Sequence, residues 1–586
     1  MSNTKNSAIK NIIAALLCVA LAIGAGCMIK IHRDKKTAVN LKSAETYDEV
    51  YNKINSLKLK TNILYGLKDG MAKGSSRNEK AEYIIEDSNT SAATNGASKT
   101  AKADYSKTTT QVEGVDEADI VKTDGKYIYI LSSDYTFYTY VKIIDSGSGN
   151  PKQLNDIKLE NFKTSEMFLS DNRLVLLGSA PNSDKTAAVI YDVTDPEKPK
   201  KVNECKQSGG YSDSRLINGK LYIVSSYGVN AENIKKADVS TYVPSVGCGE
   251  KTEKIAADCI YMYDKCMESS YTVVCGYDIK DGANISAKTV FGGLSRIYAS
   301  TDNIIATSAY YDEKTQIARF EISDGKVELK ATGEIKGYLL NQFSIDEYKG
   351  HFRFVLTEES ANGSTQNSLV ILDGNLKETG KIENIAKNER VYSVRFMGDV
   401  AYFVTFRQVD PLFSVDVSDP TSPKIIGSLK IPGFSDYLFP YGEGKLLGVG
   451  RSADETTGAV TGMKLSLFDI SDPANVTESF KTAVGNTYSE ALTNHKATLA
   501  DADKNLIAFP YNDEKGTKYL IYSLESTGFS LKAEIPLGGD GSTWGTCRGL
   551  YIGKLFYAVS DKEIAVIDMQ NFQKITELKI KRKFSK

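Results

Sequence analysis

Nine residues able to carry charge or to donate and accept hydrogen bonds recur at matching places along the chain: Asp119, Glu166, Arg215, Arg296, Gln342, Arg395, Asp436, Glu490 and Arg548. Each stands just ahead of apolar residues and a polar turn. If the elements that bear them surround one axis, four carboxylates and four guanidinium groups face one another. Two chemistries are then open. The ring is a set of ion pairs and hydrogen bonds that fills a channel, or it is a ligand site whose arginines take a carboxylate or phosphate. The planar fork of arginine suits an acidic ligand better than a cationic one.

Other chemistry is sparse. The histidines are His32, His351 and His495, and neither H-E-x-x-H, G-x-S-x-G nor a Cys/His zinc spacing occurs. Asp501-Ala-Asp503-Lys-Asn505 opens like a calcium loop, but Leu506 replaces the sixth-position glycine and Asn512 the twelfth-position glutamate. No catalytic residue, metal or cofactor is therefore assigned. A non-enzymatic binding or scaffold role leads, with an extracellular hydrolase or lyase using the polar channel residues as the alternative. A net charge of -2 gives no reason to expect nucleic acid as a partner.

The elements that must position these residues repeat. A polar turn followed by an apolar run begins at Asp124, Asp171, Asn218, Asp302, Lys349, Gly398, Glu443, Asp503 and Gly553, mostly about 47 residues apart. A unit of that period cannot bury its own core and must stack on its neighbours. In the third copy, a strand ending at Arg215-Leu216-Ile217 turns at Asn218-Gly219. Strands at Leu221–Ser225, Tyr271–Ile279 and Ala287–Phe291 follow. Asn-Gly supplies the positive φ of a tight hairpin, and β-branched and aromatic residues fill the strands. With no helical period between strands, each unit is an antiparallel meander. A second phrase, IYDVTDPEKPK from Ile190, SVDVSDPTSPK from Ser414 and LFDISDPANV from Leu467, reads as a rim hairpin turn after the third strand. The expected fold is an all-β propeller of about eight to nine four-stranded antiparallel blades, the usual range being about four to eight.

The N-terminal region reads differently. Residues 12–29, IIAALLCVALAIGAGCMI, reach the lower length for a membrane span. Residues 1–36 are thus a membrane anchor or signal region, retained, cleaved or lipidated at Cys27. An amphipathic helix is expected within 37–65, where Thr46 and Glu49 fit a capping box and Tyr47, Val50, Tyr51, Ile54 and Leu57 share a face. Residues 66–110 have a tether's composition, and 111–586 form the propeller. An insertion at 229–270 holds or adjoins Cys248, Cys259, Cys266 and Cys275; disulfides, most simply Cys248–Cys259 and Cys266–Cys275, would imply an oxidising compartment. These features together place the propeller outside the cytoplasm on a single-pass anchor, or secreted after cleavage, with the membrane and an unknown extracellular protein or polar, acidic ligand as partners.

QVEGVDEADIVKTDGKYIY (111–129), the block from Glu389 to Gly450, KLSLFDISDP (464–473) and YSEALTNHKA (488–497) carry a resemblance. They resemble a family of secreted or membrane-anchored prokaryotic proteins with a C-terminal β-propeller. Phe439 departs from that pattern, which has histidine in D-Y-L-H-P-Y, and this speaks against metal or acid–base chemistry there. The resemblance implies the fold and a cell-surface location, and no activity. Protease added to intact cells is expected to release a soluble propeller by cutting between about residues 66 and 110; protection until lysis would reverse the topology.

Overall fold

The computed structural model describes residues 42–57 and 104–581, apart from 134–138, 181–182, 264–268, 309–312, 361, 407–409, 455–456, 486–487 and 538–546. Each repeated phrase is the first hairpin of one blade, so all nine copies are complete units and the ring is a nine-bladed propeller. The blades occupy residues 121–159, 163–208, 210–291, 294–336, 345–385, 390–431, 434–485, 499–536 and 547–579, and are numbered here in that order. Within each, four strands pair antiparallel in chain order. The first turns use left-handed backbone, as at Asn218 (φ 50°) and Gly219 (φ 75°), which is why Asn-Gly and Asp-Gly mark them.

The ring closes by packing. Val121, Ile128, Ile130 and Ile144 of blade 1 share an apolar cluster with Leu550, Tyr557, Val559, Ile564, Val566 and Ile580 of blade 9. The Lys581 N–H donates to Gln153 Oε1 at 3.1 Å, and Lys142 Nζ donates to the Lys581 carbonyl at 3.3 Å. The two ends of the repeat array therefore meet, as a closed ring requires. Each blade is one continuous stretch of chain, and Tyr105 adds a single bridge to Ile552 of blade 9.

The Asp-Pro turns join blades. Asp192, Asp416 and Asp469 each accept from a backbone N–H two residues on, at 2.9 Å, which shapes the turn. The turn then lies against the preceding blade. Asn155 Nδ2 of blade 1 donates to the Glu197 carbonyl (2.8 Å), and Ser414 Oγ of blade 6 to the Pro473 carbonyl (2.5 Å). Blade 3 has no proline in this turn but makes the same contact, Asn203 Nδ2 to the Asp281 carbonyl at 2.7 Å.

The insertion of blade 3 reaches two sheets. Its hairpin, Ser245–Cys248 and Lys251–Lys254, extends blade 2 to six strands. Ile260–Met262 then runs parallel to Asn284–Phe291 as a fifth strand of blade 3. On this platform lies the expected amphipathic helix, at residues 47–57, burying Val50 and Ile54 beside Tyr242, Val243, Ile255 and Ile260. Its cap differs by one residue from the expected box. Thr46 Oγ1 accepts from the Glu49 N–H (3.3 Å), while Glu49 Oε2 reaches back to the Glu45 N–H (2.9 Å).

The expected disulfides are not formed. Cys248, Cys259 and Cys275 are thiols, and Cys266 lies outside the described residues. The insertion separates its own cysteines, because Cys248 pairs in register with Cys205 on blade 2 while Cys259 sits in a turn beside blade 3, near Lys288 Nζ (3.4 Å). Cys275 is buried on the third strand of blade 3. The apolar run 12–29 and most of the expected tether also lie outside the described residues. Among the described residues, no helix is long and apolar enough to cross a membrane. Ile54→Ala is expected to weaken helix docking by about 2–4 kcal/mol, read as lost hydrogen-exchange protection across residues 44–57.

Candidate functional site

Three blades have short innermost strands: Val121–Thr123, Ile345–Tyr348 and Leu499–Asp501. The chain leading into each of them occupies the axis instead. Residues 104–120 cross the ring, touching blade 9 (Ser106 N–H to the Tyr551 carbonyl, 3.0 Å) and the edge of blade 8 (Thr109 Oγ1 to the Thr498 carbonyl, 3.1 Å). They continue to blade 5 (Gln111 Nε2 to the Ile345 carbonyl, 3.0 Å), blade 3 (Asp116 paired with Leu216) and blade 2 (Asp119 paired with Met167). Short 3-10 turns at Gln342–Ser344, Glu490–Leu492 and His495–Ala497 complete the filling.

The predicted ring residues divide accordingly. Asp119, Glu490 and Arg548 come together: Arg548 Nε reaches both Asp119 oxygens (3.0 and 3.1 Å), and Arg548 Nη1 reaches Glu490 Oε1 (3.0 Å). Burial opposes the charge of Arg548, but Asp119 and Glu490 outweigh it and raise its pKa. Arg215 donates to Gln342 Oε1 (3.0 Å) and to Asp213 (2.5 Å), and is likewise held charged against burial by Asp213 and Glu117. Glu166 binds Lys496 and accepts from the Tyr211 hydroxyl at 3.2 Å. Three positions stand apart. Arg296 is exposed and donates to the Leu339 carbonyl; Asp436 accepts from Arg451 Nε (3.3 Å); Arg395 is buried in a cleft described below.

Sequence reasoning missed Glu117 and Lys496 and gave His495 no role. Lys496 is buried, yet Glu166, Asp119 and Glu117 raise its pKa against that burial, and it also donates to the Ala118 carbonyl at 2.7 Å. His495 is fully buried between Phe343 and Tyr437, each 5.9–6.2 Å away ring to ring. Burial first, then Lys496 and Arg548, hold its pKa well below the usual 6.5, so the ring is neutral although Glu117 Oε2 lies 3.9 Å from Nε2. YSEALTNHKA contains these residues, but nothing in its local pattern says that it faces an axis. Phe439 is buried in apolar packing.

Beside this filling, a cleft of about 700 Å³ opens at the first turns of blades 4, 5 and 6, and Gln111, Val112 and Glu113 form one wall. Arg395 lies in its lining, 3% exposed. Burial pushes the Arg395 pKa down to about 10, with Asp346 and Tyr298 opposing, so it stays charged at neutral pH. Arg353 donates to Asp346 Oδ2 (2.9 Å) and the Gly398 carbonyl (2.6 Å), and lies over the rings of Tyr348 (4.7 Å) and Phe396 (4.9 Å). Glu347 accepts from Asn303 Nδ2 at 2.9 Å and from Ser300 Oγ. The cleft thus combines aromatic walls, hydrogen-bonded carboxylates and a buried guanidinium. Among the described residues, no group of three or more His, Cys, Asp or Glu side chains could hold a metal ion.

This is a nine-bladed β-propeller with a filled axis and a lateral polar cleft beside it. The chain belongs to the Beta propeller domain family, whose model matches residues 105–572, and the match begins where the axial segment begins. An uncharacterised protein of Archaeoglobus fulgidus is 30% identical, the alignment covering 81% of this chain and 85% of that protein. One of Methanocaldococcus jannaschii is 27% identical, covering 81% and 83%. Among solved structures, apo AztD from Citrobacter koseri matches with a TM-score of 0.38 at 9% identity, covering 78% of this chain and 94% of that one. That likeness is too distant to speak for any property of this chain.

Arg548→Ala removes the cation from buried Asp119 and from partly buried Glu490 and is expected to cost about 3–5 kcal/mol in urea unfolding. A pH effect follows from His495. Its folded pKa is depressed, so the unfolded chain binds the proton first as pH falls below about 6.5, and stability declines from there downward. His495→Asn is expected to lessen that slope by up to about 1.4 kcal/mol per pH unit, measured by urea titrations between pH 5 and 7.

Proposed function

We propose that this chain is a non-enzymatic binding module whose recognition site is the cleft between blades 4, 5 and 6, and that its ligand carries a carboxylate or phosphate. The observation that carries this reading is the buried guanidinium of Arg395 in the lining of an open cleft. Arg215 and Arg548 lie within the axial filling, where they bond to Gln342 and to Asp119, and neither lines the cleft. Among the four acids lining the cleft, Asp346 is paired with Arg353, Glu347 accepts from Asn303 and Ser300, and Asp302 accepts from the Thr301 hydroxyl, while Glu113 lies on the wall formed by the axial segment. Fixed, paired carboxylates suit recognition better than proton transfer, which needs a group free to change protonation. Tyr348 and Phe396 offer ring surface to an apolar portion of the ligand.

We further propose that residues 12–29 hold the module at a membrane, with the propeller outside the cytoplasm. The support is the length and apolarity of that run.

Titration with an acidic peptide and with its side-chain amide analogue tests the cleft. The acidic form is expected to bind preferentially, and Arg395→Gln to weaken it about 10- to 100-fold, the worth of a charge-assisted hydrogen bond, while melting shifts little. Equal binding of the amide analogue, or indifference to Arg395→Gln, would overturn the reading. Appearance of cleaved peptide would favour the hydrolase alternative.

A further inference from the structure

We infer that Cys205 and Cys248 are a covalent modification site, a reversible disulfide that ties the insertion hairpin to the outer edge of blade 2. The two residues are directly opposed in an antiparallel pair. The Gly249 N–H donates to the Glu204 carbonyl at 2.8 Å, which makes 204–249 a hydrogen-bonded pair. Alternation then makes 205–248 a non-hydrogen-bonded pair, with Cα atoms expected about 4.5 Å apart and side chains on the same face. That spacing lies inside the range of about 4.4–6.8 Å found for disulfides. Both sulfurs are also held in place. Cys248 Sγ accepts from Asn203 Nδ2 at 2.8 Å, and Cys205 Sγ donates to the Gly282 carbonyl at 3.4 Å.

The environment sets the order of events. Cys205 is fully buried, and burial above all, with Cys248 adding to it, raises its pKa; Cys248 is partly exposed. An external disulfide such as oxidised glutathione therefore meets Cys248 first. The Cys248 thiolate attacks one of its sulfurs, forms a mixed disulfide and expels one glutathione thiolate. Cys205 gives up its proton to solvent, attacks the Cys248 sulfur and expels the second. One disulfide is reduced to two thiols and one protein dithiol is oxidised, so electrons balance. Cys275 is the third thiol nearby, but it is fixed in blade 3 opposite Ile223 and Ala287, with no strand pairing to either partner.

The hairpin joins blade 2 through three residue pairs at an exposed sheet edge. The same insertion supplies the surface on which helix 47–57 docks. Closing the bond would therefore fix the docking platform of the N-terminal segment to the ring.

The test uses the purified full chain equilibrated with oxidised glutathione, alkylated under denaturing conditions and digested without reduction. The expected product links tryptic peptides 202–206 and 237–251 and disappears with dithiothreitol. Proteolysis within residues 245–254 is expected to slow about tenfold in the oxidised form. In Cys248→Ser, a conservative change at a partly exposed position, Cys205 should remain alkylatable. A link from Cys205 to Cys275, Cys259 or Cys266 would overturn the assignment. So would full alkylation of Cys205 after oxidation of the unsubstituted chain.

Discussion

The filling of the axis is the constraint on which the rest of this structure depends. Nine blades around one centre leave more space than side chains from the innermost strands can occupy, and buried polar groups left facing it would go unpaired. The chain meets this by withholding inner strand from blades 1, 5 and 8 and spending those residues as loops and 3-10 turns in the centre. Loops carry polar backbone and charged side chains, so the filling is necessarily an ionic and hydrogen-bonded one. Arg548 with Asp119 and Glu490, Lys496 with Glu166, and Arg215 with Gln342 are its joints. The last two pairs link the turn entering blade 8 to blade 2, and blade 3 to the turn entering blade 5, contacts across non-adjacent blades that only an axial position permits.

Around that centre the blades are held by a repeated device. A turn shaped by aspartate presents a carbonyl to the outer half of the preceding blade, as at Asn155–Glu197, Asn203–Asp281 and Ser414–Pro473. Glycine helps where backbone must approach closely: a Cβ on Gly380 would stand 2.4 Å from the Pro420 carbonyl oxygen. Apolar packing between blades supplies the bulk of the burial, and these turns fix how each blade is oriented on the one before it. Ring closure needs no exchange of strands because the blade 1–blade 9 contact has the same apolar character as the others.

The cleft is tied to the same centre. One wall is Gln111–Glu113, part of the segment that crosses the axis, and Gln111 is pinned to Gln342 and Ile345 of blade 5. The chain entering from the N-terminal side thus reaches the cleft before it begins the first blade. The family match, starting at Tyr105, includes this segment and not the helix at 47–57. The axial segment is accordingly part of the matched domain, and the docked helix lies N-terminal to it.

Local pattern determined much of this protein. Period, turn residues and alternation are encoded in short stretches, so the nine first turns from Asp124 to Gly553, the antiparallel blades, the bounds of the insertion and the helix containing Val50 and Ile54 were all legible. Blade count was blurred only because Asn218–Asp302 and Glu443–Asp503 run long. The first holds the insertion and the second the axial turns at residues 490–497. Pairings between distant residues were not legible. That Cys248 would stand opposite Cys205, that Arg395 would line a cleft while Arg548 met two carboxylates, and that Lys496 would answer Glu166 depend on where blades sit around the ring. Equivalent positions in a repeat read alike, whereas their partners are set by closure and by which loops fill the axis, and those are properties of the assembled ring alone.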